Sequence, residues 1–205
     1  DPESVVYNPD GTTTVTDGLG TARTFAFQRI LDRPRTSAVT QPCPSCGARD
    51  AASLTYDARG SVAGSTDFKG NQTLYTHDAR GLETARTEAA GTPEARTITT
   101  EWHPTFALPV RITEPTATGP RVTTFTHDAR GNVLTRSVAA GGQTRTWTWT
   151  YNANGQPLTA RGPRTDVNDT TTWTYDAQGN VATMTNALGQ VTRYTAHDAD
   201  GRPLA

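Results

Sequence analysis

The stretch that decides the fold is TFTHDARGNVLTR, Thr124 to Arg136. Its tetrapeptide DARG occurs again at Asp57–Gly60 and at Asp78–Gly81, each time directly after a tyrosine or a histidine. A looser pattern, Asp or Asn followed three residues later by Gly, occurs ten times where about two would be expected by chance. The chain therefore repeats one short unit. The ten matches begin at Asn8, Asp17, Asp57, Asp67, Asp78, Asp128, Asn152, Asp176, Asn186 and Asp198.

The spacing of these matches shows the period of the repeat. Those that follow a ring begin at 57, 78, 128, 152, 176 and 198, so the steps are 21, 50, 24, 24 and 22 residues. The step of 50 is close to two periods. A second kind of match follows threonine instead, as at Thr66-Asp67 and Thr185-Asn186. A period of about 20–25 residues is typical of repeat arrays in which each unit buries its face on its neighbours.

The pattern Asp-x-x-Gly has a physical meaning between two strands. The Asp or Asn side chain caps backbone N–H groups further along a tight turn, and glycine accepts a positive φ without steric cost. The pattern therefore predicts a β-hairpin corner with a bulge, and the ring packs at the strand end. The predicted corner residues are Tyr56, Asp57, Gly60, Asp67, Gly70, His77, Asp78, Gly81, His127, Asp128, Gly131, Tyr151, Asn152, Gly155, Tyr175, Asp176, Gly179, Asn186, Gly189, His197, Asp198 and Gly201.

The sequence between the corners alternates as strands do. In TRTWTWTYNANG the rings Trp147, Trp149 and Tyr151 point to one face and threonines to the other. The chain has 40 threonines and only 34% hydrophobic residues, which favours a sheet with one wet face and one thin apolar face. No sustained helical periodicity appears. We therefore predict an all-β fold of repeated antiparallel hairpins that form a long curved sheet.

The repeat is expected to fill one region, 1–205, with two irregular excursions. The first covers about 32–51 and the second about 85–120; both contain prolines, which are excluded from central strand positions. Within the second, two strands joined by an irregular loop around HPTFALP are predicted. His103 lies in that loop and outside the repeat register. The chain is expected to be a piece of a longer polypeptide.

Charge and hydropathy exclude some partners. The chain has 19 basic and 20 acidic residues, with Lys69 as the single lysine, so no electrostatic attraction for nucleic acid is predicted. No apolar run is long enough to span a membrane.

Cys43 and Cys46 form the sharpest local motif, CPSC. Such a pair can be a redox centre, half of a metal site, or a structural pair that is either a local disulfide or two free thiols. No second pair of this kind and no thioredoxin-like pattern is present, so the structural interpretation is favoured.

The histidines and tryptophans each have two interpretations. His77, His127 and His197 could be metal ligands or catalytic groups, but each occupies the position of Tyr56 and Tyr175, so they are interpreted as substitute rings. Trp147, Trp149 and Trp173 could form a platform for sugars, although the apolar layer of a thin sheet is the favoured role. Known catalytic and nucleotide-binding motifs are missing. No catalytic, cofactor-binding or metal-binding residue is predicted, and an enzyme is not expected.

These motifs resemble the YD repeats of the Rhs family, which includes Rhs proteins, wall-associated proteins, the C components of insecticidal toxin complexes and teneurins. The resemblance rests on Tyr56-Asp57, Tyr175-Asp176 and the histidine variants at 77, 127 and 197, and it is weakest at 85–120. In that family the repeats form a hollow β-shell around a C-terminal polymorphic toxin, or act at the cell surface. The self-cleaving core motif of the family and a toxin domain do not appear in this sequence.

The resemblance implies a structural wall segment of an Rhs-type shell. Its expected partners are the C-terminal toxin domain of the same parent chain and the remaining shell repeats, and its expected location is secreted or at the cell surface. A repeat module that binds carbohydrate or a cell surface is the alternative. The unpaired strand edges of such a segment also predict self-association.

Overall fold

The computed structural model describes residues 2–41, 51–198, 200–202 and 204. The described part of the chain consists of strands and turns and has no helix, hence no helix long and apolar enough to cross a membrane. The predicted all-β class is confirmed. The 17 strands are β1 Pro2–Tyr7, β2 Thr13–Asp17, β3 Ala22–Ile30, β4 Arg33–Val39, β5 Ser53–Tyr56, β6 Val62–Thr66, β7 Gln72–His77, β8 Glu83–Glu88, β9 Arg96–Trp102, β10 Pro109–Glu114, β11 Arg121–His127, β12 Val133–Ala140, β13 Gln143–Tyr151, β14 Pro157–Arg161, β15 Thr170–Tyr175, β16 Val181–Thr185 and β17 Val191–Arg193.

The strands form antiparallel hairpins in chain order, in two compact units, Asp1–Thr100 and Glu101–Ala205. In the first unit each of the strands β1 to β8 pairs with the next along the chain. In the second unit β10 to β17 pair in the same way. Every one of these pairings is antiparallel, as hairpin connections require. That all 205 residues form one continuous repeat region stays a prediction.

Threonine builds one face of the hairpins. The threonine directly before a corner ring points away from the ring, because side chains alternate along a strand. At Thr76, Thr126, Thr150 and Thr174 its hydroxyl meets a hydroxyl of the neighbouring strand, and such pairs contribute to sheet stability. The cross-strand hydroxyl pairs, 2.6–3.0 Å apart, are Thr14–Thr24, Thr76–Thr84, Thr87–Thr97, Thr126–Thr135, Ser137–Thr146, Thr150–Thr159 and Thr174–Thr183.

The ring-bearing face is only partly buried. Trp147, Trp149 and Trp173 are half-buried, and the Arg136 guanidinium lies 5.0 Å from the centre of the Trp147 ring. Among the described residues, Gly64, Ala90 and Thr123 alone are buried, Ala90 and Thr123 at 8% and 7% exposure. The sheet therefore lacks a deep core of its own within the described part of the chain, which agrees with its low hydrophobic content.

The two ends of the strands differ. In each unit the ring-preceded corners join strands at one end only, since hairpin turns alternate between the ends of an antiparallel sheet. The connections at the other end vary in length and chemistry, from the two-residue turn Gly141-Gly142 to the stretch 162–169. Threonine-preceded corners, such as Asp17–Gly20 and Asn186–Gly189, lie at this variable end.

A bulge follows the ring-preceded corners. Tyr175 pairs with Val181 and Thr174 with Thr183, so Ala182 is one extra residue in the returning strand. The same shift occurs at four more hairpins, and such bulges increase local twist. The predicted combination of tight corner and bulge is therefore present at each of them.

The first predicted excursion is smaller than expected. Residues 33–39 of the stretch 32–51 form the regular strand β4, in which Pro34 pairs with Arg29. Proline is tolerated there because the following strand β5 pairs with β4 only at Ala38, which leaves the side of Pro34 without a ladder partner. Cys43 and Cys46 lie outside the described residues. In the second excursion, β9 and β10 are the two predicted strands joined by a loop.

Candidate functional site

The candidate functional site is the set of corners, because they hold the most regular polar geometry in the chain. At every corner the N–H of Asp or Asn donates to the carbonyl four residues later, and the glycine N–H donates back to the carbonyl of Asp or Asn. The two bonds close a compact loop between strands. The ten corner glycines have φ between 75° and 90°, the left-handed conformation that the sequence predicts for them.

The side chain of the first corner residue provides two more bonds. In Asp128, Oδ1 accepts the N–H groups of Arg130 and Asn132, each at 2.9 Å. Nine of the ten corners share this arrangement. At the corner of Asn8, Asp10 accepts the Thr12 N–H instead, while the Asn8 amide donates to the hydroxyls of Thr12 and Thr14.

These bonds change the acidity of the corner carboxylates. The backbone N–H of Ser61 holds the pKa of Asp57 below its ordinary value, and that of Leu82 does the same for Asp78. For Asp128 the largest contribution is the hydrogen bond from the Asn132 side chain. Each hydrogen bond favours the ionised form of the side chain, because a carboxylate oxygen accepts an N–H more strongly than a neutral carboxyl group does.

The ring that precedes a corner connects that corner to the one before it. The Tyr175 hydroxyl donates to the carbonyl of Pro157 at 2.7 Å, and Tyr151 donates to Val133 at 2.9 Å. Tyr56 reaches Thr36 in the same way, and His197 Nε2 lies 3.1 Å from the carbonyl oxygen of Val181. Burial raises the pKa of Tyr175 and Tyr151, which keeps the hydroxyls as donors. The ring is thus a polar link between successive repeats as well as packing material.

A second set of contacts joins successive corners. Gln156 Nε2, from one corner, donates to the carbonyl of Gly179 in the next at 2.6 Å. A Cβ placed on Gly155 would lie 3.5 Å from Asn132 Oδ1, so the residue after one corner glycine packs against the glycine of the following corner. In the first unit the Arg59 guanidinium donates to the Asp78 carbonyl at 3.0 Å. The ring-preceded corners therefore form a contacting column within each unit.

His103 belongs to this column, which corrects the expectation that it lies outside the register. Its N–H donates to the Leu108 carbonyl at 2.8 Å, and Trp102 occupies the ring position before it. His103 Nδ1 accepts the N–H groups of Thr105 and Phe106, both at 3.2 Å, as Asp Oδ1 does elsewhere. With a corner at 103, the step of 50 residues from 78 to 128 divides into two steps of 25. That division was the signal that could have located it.

The corner before β2 was also incompletely recognised. Tyr7 holds the ring position before Asn8, but its side chain is 83% exposed. Between the strands β3 and β4, Leu31 and Asp32 form a two-residue turn with φ of 49° and 59°. Neither residue matches the repeat pattern, so only the pairing of strands reveals this corner.

The chemistry available at the corners is that of binding and joining. Shallow open depressions lie between successive corners, for example one of about 420 Å³ lined by Gln156, Leu158, Trp173 and Tyr175. In the described part of the chain, no three His, Cys, Asp or Glu side chains converge as metal ligands would. His77 and His127 stand in the ring position, each with a buried Nδ1.

Comparisons with known proteins agree with this geometry. Residues 151–191 and 175–205 match the family model described as RHS Repeat. The chain is similar in structure to the "Crystal Structure of TcdB2-TccC3 without hypervariable C-terminal region", with a TM-score of 0.58 and 15% identity over 89% of this chain and 11% of that one. It is also similar to the crystal structure of TcdB2-TccC3-TEV, with a TM-score of 0.57 and 17% identity over 94% of this chain and 11% of that one. No curated protein matches its sequence.

At these identities the structural likeness shows a shared fold, and this chain corresponds to about a ninth of the length of either relative. The repeat match adds the sequence pattern, at the corners of Asn152, Asp176 and Asp198. The same hydrogen bonds occur at corners outside the matched residues, such as Asp57 and Asp128. The chain therefore contains RHS repeats, matched over residues 151–205, and its other corners share their hydrogen-bond geometry.

Proposed function

We propose that this chain is a structural wall segment of an Rhs-type shell, which encloses a C-terminal toxin domain of the same parent polypeptide. The observation on which this depends is the column of corners. Four of the rings, Tyr56, Tyr151, Tyr175 and His197, bond to a backbone carbonyl of the preceding repeat, so that the arrangement can continue from repeat to repeat. An array of this kind builds surface rather than a single pocket.

The thin packing supports the same role. Residues of the ring-bearing face, such as Trp149 and Trp173, stay half-buried, and Leu158, which lines a depression together with Trp173, is 37% exposed. Further repeats of the parent protein are the natural partners for such a face, because exposed apolar surface is stabilised by being covered. The chain has no dominant net charge, and the depressions between its described corners are shallow and open, so neither feature selects one cargo; a wall must accept different toxin domains.

The related chain supports the cargo part of the proposal by analogy only. The name of one similar structure states that a hypervariable C-terminal region had been left out of that protein. We extend the same order, repeats followed by a variable domain, to the parent of this chain. A secreted or cell-surface location follows from that proposal.

Protection from protease tests the proposed function. The intact parent protein and a version that lacks these 205 residues would be treated with a broad-specificity protease, and survival of the C-terminal domain measured. The intact protein should protect that domain, and the deletion should expose it. A parent with Tyr151→Phe and Tyr175→Phe keeps the chain length and should give intermediate protection. Equal survival in all three proteins would contradict the wall.

A second candidate is a module that binds carbohydrate or a cell surface. The half-buried Trp147, covered on one side by Arg136, leaves part of an aromatic face open for stacking against a sugar ring. Tight binding of a defined glycan by the isolated repeats, lost in Trp147→Ala and Trp173→Ala, would favour this function over the wall.

A further inference from the structure

The corner at His103 differs chemically from its neighbours. Elsewhere an oxygen of Asp or Asn accepts the backbone N–H groups, whereas here the acceptor is a ring nitrogen, His103 Nδ1, which accepts from Thr105 and Phe106 at 3.2 Å each. Nδ1 and Oδ1 are both bonded to Cγ, so the imidazole places its acceptor where the carboxylate would. The substitution preserves the turn but changes the proton chemistry at its centre.

Two N–H donors fix the protonation state of this imidazole. A nitrogen that accepts a backbone N–H has an available lone pair, so the neutral ring must hold its proton on Nε2. A second proton can then bind only at Nδ1. There the new N–H would point at the N–H groups of Thr105 and Phe106. Two donors cannot bond to each other, so both hydrogen bonds to Nδ1 would be lost. Histidine in general changes charge between pH 5 and 8, far above the range of a carboxylate.

Two rings contact the His103 imidazole. The His127 ring, at the end of β11, meets His103 edge-on with 6.1 Å between the centroids, and Phe106 stacks on His103 at 4.9 Å. The charged residues of the adjacent corner are Asp128 and Arg130. Strands β9 and β10 add the ion pair between Glu101 and Arg111, whose atoms are 3.7 Å apart.

His77 and His197, which stand in the ring position as His127 does, have a carboxylate as their neighbour instead of a second histidine. His77 Nδ1 lies 3.9 Å from the Asp57 carboxylate, and His197 acts electrostatically on Asp176. A proton on His77 or His197 would therefore gain a carboxylate from the preceding corner. A proton on His127 would face His103, because that corner has histidine in place of aspartate.

We propose that the corner 103–108 is an acid-sensitive joint in the column, which opens when His103 takes up a proton. Release of the cap frees Phe106 and Leu108, which pack against the next corner. A Cβ placed on Gly131 would lie 3.1 Å from Leu108, so the two corners are in close contact. A displacement of the loop 103–108 would therefore disturb the corner of Asp128. The joint thus couples proton uptake to the contact between successive corners, whatever the repeats enclose.

Amide hydrogen exchange of the 205-residue chain tests this proposal residue by residue. Corrected for intrinsic exchange rates, protection of the Thr105 and Phe106 amides should fall about tenfold or more between about pH 7.5 and about pH 5.5, as expected for loss of a cap hydrogen bond. Protection of the corresponding amides Arg130 and Asn132 of the Asp128 corner should stay within about twofold. Equal behaviour of the two corners would overturn the proposal.

Two variants identify the group responsible. His103→Asn keeps an oxygen acceptor at the same position without a proton site in this range, and should abolish the acid response. His127→Tyr restores the commoner ring and leaves the His103 cap in place, so the response should persist. A response that survives in His103→Asn, or disappears only in His127→Tyr, would contradict the assignment.

One measurement needs no variant. Nitrogen NMR of the unmodified chain at about pH 8 should show His103 with its proton on Nε2 and an unprotonated Nδ1. A proton on Nδ1 at that pH would overturn the proposal, since the ring would then be unable to accept the two amides.

Discussion

Asp128 shows, at the scale of a single residue, how a side chain closes a hairpin. One oxygen accepts two backbone N–H groups, and the other accepts the Asn132 side-chain amide at 2.8 Å. The neighbouring Asn152 does the same with an amide, which donates to Gln156 at 2.8 Å. Asp and Asn are therefore interchangeable in geometry but differ in charge, and of these two residues only Asp can take up a proton at the corner.

The first prediction at this scale concerns the free energy of unfolding at acid pH. The folded pKa of Asp128 lies below its unfolded value, so its stabilising contribution is complete above the unfolded pKa, and falling pH removes it as the folded pKa is passed. Denaturant unfolding between about pH 5 and about pH 2 should show stability falling with pH. Asp128→Asn, which copies the Asn152 corner, should flatten that dependence. An unchanged pH profile in the variant would contradict the role of the carboxylate.

The ring hydroxyl gives the second prediction at the residue scale. Tyr175→Phe removes the donor to Pro157 and leaves that carbonyl without its partner, which should cost about 1 kcal/mol of unfolding free energy. Tyr7→Phe is the matched control, because Tyr7 holds the same position at an 83% exposed site. Thermal or urea unfolding would compare them. An equal effect of the two changes would show that the hydroxyl contact is not what links the corners.

At the scale of an element, a corner is a local device that also makes contact with its neighbour. The glycines separate the two functions. Gly131 and Gly70 have φ of 90° and 87°, but a Cβ at Gly131 would meet Leu108 at 3.1 Å, while a Cβ at Gly70 would meet no atom within 4 Å. A side chain at either position would have to adopt a strained backbone conformation. Only at Gly131, in the column, would its Cβ also crowd a neighbouring residue.

Alanine substitution at these two glycines tests that separation. Gly70→Ala should cost about 1 kcal/mol for the left-handed conformation alone. Gly131→Ala should cost roughly 1 kcal/mol more, because the new methyl group must displace Leu108 or Phe106. Urea unfolding of both variants gives the comparison. A smaller loss at Gly131 than at Gly70 would argue against close packing between successive corners.

The sequence predicts the elements well where the interactions are local. A corner such as Asp57–Gly60 closes within five residues. Its local amino-acid sequence is therefore enough to locate it and to assign a positive φ to its glycine. The Tyr175 partner, Pro157, is 18 residues away and depends on strand register, which composition does not determine. His103 was missed because a cap was sought only as Asp or Asn, although Nδ1 can accept in the same place. Strand β4 was missed because Pro34 was taken to exclude it.

At the scale of the whole molecule, the units share one plan. Each has a regular strand end, where corners contact one another, and a variable end, where connections such as Gly141-Gly142 and 162–169 differ. Little of the described chain is fully enclosed, so stability comes from hydrogen-bonded hairpins and their succession rather than from a central core. This is the construction expected of a surface that is completed by further repeats.

The most direct test of the wall is an electron cryo-microscopy map of the parent protein that contains these residues. The account predicts that strands β1 to β17 lie in a continuous sheet around a cavity, with the C-terminal domain of the same polypeptide inside. Repeats that stand apart from that domain, with no enclosed volume between them, would contradict it.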